Sequence, residues 1–319
     1  MGWSTKQIPS LRGRRALVTG ANSGLGLQTA LELARAGAHV TLACRDAGRA
    51  DGAVATIRDQ VPDADLEVRA LDLASLASVR ALAEALDGEG APLDLLINNA
   101  GVMATPERRT ADGFEQQLGT NHLGHFALTG LLLERLKAAP APRVVTVSSG
   151  LHRIGRIDLD DLNWERRGYK RWGAYGQSKL ANLLFARELQ RRADAGDLAL
   201  RSAAAHPGYS ATHLQTAGPG QGGGVGDRLN ALVGRVGNVL LATSDAYGAQ
   251  PTLYAATHPE VSGGAYVGPT RLGQNRGPIG EVPSTRAGHD REVARRLWER
   301  SEQLTGVAFG LPAAEPVAG

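Results

Sequence analysis

Tyr175 and Lys179 stand four positions apart in AYGQSKLANLLFARELQ, a stretch with the apolar spacing of an amphipathic helix. Residues four apart share one helix face, so a phenol and an ammonium group are directed into the same space. Taken alone, the pair reads as a half-buried tyrosine beside a surface lysine. A second stretch, TGANSGLG at 19–26, could bind an anion. Gly20, Gly24 and Gly26 permit a tight turn and close backbone approach, and the helix that follows opens with free amides that suit phosphate. Glycine-rich turns of this kind also occur purely as turns. Its position in the first strand–helix unit favours a dinucleotide, with Gly20, Asn22, Ser23, Gly24, Leu25 and Gly26 as candidate contacts.

The end of the second apolar run, where a carboxylate would meet the ribose of NAD, reads Ala43, Cys44, Arg45. An arginine fork suits a 2′-phosphate, so NADP is the expected cofactor. Asp46 follows directly, and its expected role is to cap the next helix, turned away from the ribose. The cluster RRGYKR at 166–171 reads as a solvated loop.

Short apolar runs alternate with helix-period segments along most of the chain. Runs at 16–19, 39–44, 66–73, 93–101, 143–149 and 198–208 read as strands, and segments at 24–37, 46–60, 75–86, about 112–138 and around YGQSK read as helices. Strands apolar on both faces and separated by helices predict a doubly wound parallel α/β sheet of Rossmann type in one domain, residues 13–305. Residues 1–12 and 306–319 are expected to be loosely held tails. The glycine-rich segment 209–243 follows a strand end, where such sheets bind ligands, and is expected to form a substrate lid.

The 319 residues include 35 basic and 32 acidic side chains, a formal charge of +3, so nucleic acid is not an expected partner. Cys44 is the only cysteine, which excludes an intramolecular disulfide and suits a reducing compartment. The first residues lack the apolar core of a signal peptide, and no apolar run reaches about 18 residues. A cytoplasmic protein without a membrane anchor is expected.

TGANSGLG, NNAG at 98–101, Ser149 and YGQSK occur together and in this order, and the chain resembles the short-chain dehydrogenase/reductase family over nearly all of 13–305. NHLGHF at 121–126, HPG at 206–208 and GGAYVGP at 263–269 are most similar to the branch of retinol dehydrogenases and protochlorophyllide reductases and their soluble bacterial relatives. The resemblance implies that Tyr175 is the catalytic acid/base and that Lys179 supplies a cation favouring its phenolate form while holding the nicotinamide ribose. It implies that Ser149 holds the substrate oxygen, with Ser148 the competitor that strand alternation turns away. Asn121, a poor helix former inside a predicted helix, would distort it and hold a relay water on its backbone.

By the same resemblance Asp72 and Leu73 line the adenine site, Asn99, Ala100 and Gly101 line the cofactor, and Asn98 supports the sheet. Pro207 and Gly208 flank the nicotinamide and Thr212 bonds its carboxamide. His122 and His125 read as structural, and no metal is expected because neither a cysteine nor a carboxylate stands at ligand spacing. The implied activity is NADP(H)-dependent interconversion of a small-molecule carbonyl and an alcohol. A nucleotide-binding sensor without turnover and a reductase of carbon–carbon double bonds stay open as alternatives. A homo-oligomer is also open, since the family includes dimers and tetramers.

Overall fold

The computed structural model describes residues 2–208 and 244–313. Eight strands form one sheet in the order β3-β2-β1-β4-β5-β6-β7-β8. They are β1 (Arg15–Thr19), β2 (His39–Cys44), β3 (Leu66–Ala70), β4 (Leu95–Asn98), β5 (Arg143–Val147), β6 (Arg201–Ala205), β7 (Tyr266–Arg271) and β8 (Arg276–Glu281). Neighbours from β3 through β7 pair in parallel, and β8 closes the edge antiparallel to β7. The chain is thus a single doubly wound α/β domain, as expected, with an antiparallel edge hairpin that the apolar pattern does not announce.

Helices α1 (Gly24–Arg35), α2 (Ala47–Gln60) and α3 (Leu76–Asp87) follow the first three strands. Strand order reverses between β1 and β4, opening a crevice at their carboxyl ends. TGANSGLG leaves β1 and NNAG ends β4, so both turns open onto that crevice.

The helix expected over about 112–138 is divided. Short α4 (Gln116–Leu118) leads into a π turn at Gly119–Leu123, then α5 (Gly124–Leu131) and α6 (Leu133–Lys137). The N–H of Gly124 bonds the carbonyl of Gly119, five residues back, which is how one extra residue is accommodated in a helix. Helix α7 (Arg171–Ala195) carries YGQSK and is buried on nearly every side from Ala174 to Ala186. The reason is coverage: α9 (Arg291–Thr305) and the 3-10 turn Gly150–Ile154 lie over the side that would otherwise face water. Helix α8 (Asp245–Thr257) packs against α1 on the other face of the sheet.

Within the described residues, 2–12 and 306–313 hold more tightly than tails. Leu11 is buried and its amide donates to the Ala36 carbonyl at 2.8 Å, while Trp3 meets the Tyr254 ring edge-on at 5.4 Å. Past α9, Gly306 takes the left-handed conformation (φ 63°) that turns the chain back. That turn delivers Val307 and Phe309 into the core, where Phe309 packs 4.4 Å from the ring of Trp298 and 4.8 Å from Phe126. Burying one such ring contributes about 2 kcal/mol, enough to fix a segment otherwise rich in Gly and Pro. No helix among the described residues is long and apolar enough to cross a membrane.

Candidate active site

The glycine-rich turn is built for close approach. Gly20 (φ 65°) and Gly24 (φ 55°) occupy the left-handed region. A Cβ on Gly26 would run into the Gly20 carbonyl oxygen, so this residue lets α1 start directly against the turn. Ser23, the N-cap of α1, makes no side-chain cap bond, unlike Asp46 on α2 and Ser75 on α3. The opening amides of α1 are therefore left for an anion. Asn22, Gly24 and Leu25 are partly exposed there and Ser23 is exposed.

Arg45 follows β2, is exposed, and makes no hydrogen bond or ion pair among the described residues. Asp46 caps α2 as expected, accepting from the Arg49 amide at 3.0 Å. Cys44 is buried; burial pushes its thiol up to about 11, against backbone hydrogen bonds from Ala21 and Asn22. It packs and stays protonated. Asp72 lies two residues past β3, which ends earlier than the expected 66–73 run, and its carboxylate accepts from the Ala74 amide at 3.0 Å. Leu73 is buried against Gly124.

The 98–101 turn is tied to the end of β1. The Asn99 and Ala100 amides both donate to Thr19 Oγ1 at 2.9 Å, and Asn99 Nδ2 donates to the Thr19 carbonyl at 2.8 Å. Asn98 points toward α5 and donates to Thr129 Oγ1 at 3.0 Å. Gly101 borders the polar centre: a Cβ there would sit 3.0 Å from Asn121 Oδ1 and 3.5 Å from Lys179 Nζ.

Asn121 sits in the π turn, fully buried. Its Oδ1 accepts from the Val102 amide at 2.8 Å, and its Nδ2 donates to the Val102 carbonyl and to Ser178 Oγ, both at 2.9 Å. The side chain thus joins α7 to the irregular segment that follows the 98–101 turn, and the expected helix distortion is where this residue stands.

Ser148 and Ser149 part at the end of β5. Ser148 Oγ donates to the Lys179 carbonyl at 2.7 Å and is consumed in holding α7. Ser149 Oγ accepts from the Leu151 amide at 3.2 Å, and its side chain acts on the Tyr175 phenol to lower its pKa. Lys179 Nζ donates to the Val147 carbonyl at 3.0 Å and lies 5.7 Å from the centre of the Tyr175 ring.

Burial governs the charges in this cluster. It pushes Tyr175 up to about 12, only partly offset by the Ser149 side chain, and pushes Lys179 down to about 8. This differs from the expectation that Lys179 holds the phenol toward its ionised form. In the protein by itself the Tyr175 phenol stays protonated, because burial outweighs what favours its ionised form.

Pro207 and Gly208 (φ 71°) follow β6 beneath the β7–β8 hairpin, a Cβ on Gly208 lying 2.7 Å from the Asn275 carbonyl. Thr212 and the expected 209–243 lid lie outside the described residues. The RRGYKR stretch is only partly the solvated loop expected of it. Arg167 stacks 3.9 Å over Trp164 and donates to Gln177 Oε1 at 2.6 Å, and the Tyr169 hydroxyl donates to buried Glu115 at 3.1 Å. Glu115 caps α4, so this loop braces the entry to the π turn.

Thr19, His125 and Ser178 join the site without having been singled out for it. Ser178 could have been found three residues after Tyr175 on the same helix face; Thr19 and His125 meet only through the fold. The residues present fit a dinucleotide: the uncapped α1 amides and the Gly20–Gly26 cradle for phosphate, and an unpaired guanidinium at the end of β2. 

A family model for short chain dehydrogenases matches residues 14–219. Human retinol dehydrogenase 13 is 43% identical over 304 residues, covering 93% of this chain and 86% of that protein. Mouse polyprenol dehydrogenase is 41% identical over 309 residues, covering 95% and 87%. Among solved structures, an uncharacterized protein of Mycobacterium paratuberculosis superposes with a TM-score of 0.80 at 46% identity, covering 98% of this chain and 100% of that one. A candidate NAD(P)-dependent gluconate 5-dehydrogenase of Beutenbergia cavernae, whose crystal structure holds NADP at low occupancy, gives 0.59 at 27% identity, covering 78% and 91%. With sequence likeness running nearly the full length of its relatives, this chain belongs to the short-chain dehydrogenase/reductase family, in its retinol dehydrogenase-like branch.

Proposed function

We propose that the protein is an NADP(H)-dependent oxidoreductase that interconverts a carbonyl and an alcohol, with Tyr175 as the proton donor and acceptor. The observation that carries this reading is the buried Tyr175 phenol, with the Ser149 side chain acting on it and the Lys179 ammonium 5.7 Å from the centre of its ring. When bound, the nicotinamide supplies or takes up hydride.

In the reductive direction Tyr175 gives its hydroxyl proton to the substrate oxygen, and Ser149 Oγ–H holds that oxygen in place. Lys179, anchored by the Val147 carbonyl, supplies positive charge as Tyr175 becomes anionic. The Asn121 backbone and Lys179 lead the replacement proton inward. Arg45 takes the 2′-phosphate, with Gly20, Asn22, Ser23, Gly24, Leu25 and Gly26 at the pyrophosphate, Asp72 and Leu73 at the adenine, and Asn99, Ala100, Gly101, Pro207, Gly208 and Thr212 toward the nicotinamide.

The substrate is an apolar aldehyde or alcohol. Trp172 is 40% exposed and meets the Tyr175 ring edge-on at 6.4 Å, and Ile154 is 55% exposed and packs at Gly176, the next residue. Large apolar side chains in water beside the proton donor suit an apolar group, and the relatives named for retinol and polyprenol support the same class. The single buried Cys44 suits the reducing cytoplasm as the site of action. The test is oxidation of NADPH and of NADH by the purified protein against short and long aldehydes, ketones and enones, with the products identified. Alcohol formed from a long-chain aldehyde supports the reading. A saturated carbonyl from an enone, or no turnover with any carbonyl, refutes it.

A further inference from the structure

His125 lies fully inside the protein, four residues after Asn121, and its two ring nitrogens reach different parts of the site. Nδ1 is 3.0 Å from the Asn121 carbonyl oxygen and Nε2 is 2.9 Å from Thr19 Oγ1. A carbonyl can only accept, so Nδ1 carries the hydrogen, and Nε2 presents a lone pair. Thr19 Oγ1 already accepts two N–H groups, from Asn99 and Ala100, each at 2.9 Å. Both of its lone pairs are thereby used, leaving its own proton to be given away. The receivers in reach are Nε2 at 2.9 Å and the Ile97 carbonyl at a longer 3.3 Å.

The other tautomer breaks this arrangement at both ends. An Nε2–H would press a third donor on Thr19 Oγ1, and a bare Nδ1 would face the Asn121 carbonyl lone pair to lone pair. A protonated ring fails at the Thr19 end for the same reason. Burial and the positive charge of Lys179 oppose protonation as well, and the neighbouring titratable His122 is itself buried and held neutral.

We propose that His125 is a positioning residue: in its Nδ1–H form it bridges the Asn121 carbonyl to the Thr19 hydroxyl and holds the π turn and the 98–101 turn in one fixed relation around Lys179. These two turns are the walls that meet at Gly101, where Asn121 Oδ1 and Lys179 Nζ converge. The Thr19 end sets the turn offered to the cofactor, and the Asn121 end sets the carbonyl offered to the proton path. This inference rests on the function proposed above only for its kinetic consequences.

The two ends separate experimentally. An asparagine side-chain amide reaches about where Nδ1 stands, and a glutamine amide about where Nε2 stands. His125→Asn therefore keeps the Asn121 contact, His125→Gln keeps the Thr19 contact, and Thr19→Val removes the hydroxyl at constant shape. The first readout is ¹⁵N NMR of the full-length protein, with His125→Gln identifying the signal. The expected result is a neutral ring with protonated Nδ1 from pH 8 to pH 5.5.

The second readout pairs NADPH affinity, by fluorescence titration, with kcat on an aldehyde that is turned over. His125→Gln is expected to lower kcat about 100-fold with affinity kept within about threefold, the scale of a small misplacement at a reacting centre. Thr19→Val is expected to weaken NADPH about tenfold, as loss of one shared hydrogen-bonding hydroxyl would, and Thr19→Ser is expected to restore it. An Nε2–H or charged ring overturns the proposal, as do variants that lower thermal stability while leaving affinity and kcat unchanged. If the wild-type protein turns over no carbonyl, the proposed function fails, and the tautomer and NADPH affinity still decide the role of His125.

Discussion

Replacing Arg45 with alanine should weaken NADPH binding and leave NADH binding alone. The guanidinium is exposed and without a partner among the described residues, so its removal strands no buried group. Folding stability should stay within about 0.5 kcal/mol of wild type. A hydrogen bond to a charged phosphate contributes about 1.5–3 kcal/mol, and exposure to solvent argues for the lower part of that range. At about 1.4 kcal/mol per factor of ten, a loss of about 1.5–2 kcal/mol is a 10- to 30-fold weaker Kd for NADPH. NADH has no 2′-phosphate to lose. Asp46 does not compensate, because its carboxylate is committed to the Arg49 amide at the start of α2. Fluorescence titration of both nucleotides against both proteins reads the effect, and raising the salt should shrink the NADPH difference, since an exposed charge pair is screened. If NADPH weakens by less than about threefold, or NADH weakens by the same factor, Arg45 does not read the 2′-phosphate.

Acid should destabilise the protein through its buried histidines. Burial holds His122 down to about 3, His125 to about 4 and His206 to about 3, whereas the unfolded chain binds these protons below its ordinary histidine value of 6.5. Their contribution is intact above pH 6.5 and is lost as pH falls toward 4 and 3; at pH 5.5 the three together remove about 4 kcal/mol. Urea unfolding at pH 7.5 and 5.5 measures it, and an unchanged midpoint would show that these rings are charged in the folded state. Phe309→Ala should cost about 3–5 kcal/mol, because the ring fills a closed cluster with Trp298 and Phe126. Thermal unfolding checks this, and a loss below about 1 kcal/mol would mean that the C-terminal segment does not pack there.

Strands β1, β2 and β5 and helices α1 to α3 were legible in the sequence because each is a short apolar run or one apolar face, and local pattern is enough to specify it. The edge hairpin was not, since YVGPTR and RGPIGE interleave Gly and Pro with few apolar residues, and only pairing across the sheet makes them strands. The break in the 112–138 helix left one trace, a buried-type position occupied by Asn121. Its geometry depends on Val102 and Ser178, which no local pattern connects to it. Val307 and Phe309 looked like scattered apolar residues because their cluster is assembled from α5, α7 and α9. In the candidate site, spacing put Tyr175 and Lys179 on one helix face, while their roles and the choice of Ser149 came from the family resemblance. Thr19 and His125, 106 positions apart in the chain, were linked by neither. The Tyr175 environment also could not be read from spacing, because the burial that raises its pKa to about 12 is a property of the packed fold.

The most direct test of the proposed chemistry is single-turnover reduction of a responsive aldehyde by NADPH, comparing wild type with Tyr175→Phe. Phenylalanine keeps the ring in its buried slot and removes only the hydroxyl. Loss of a general acid should lower the rate by about 10²–10⁴-fold, with NADPH affinity unchanged. A variant that retains more than about a tenth of the wild-type rate would contradict the assignment of Tyr175 as the proton donor.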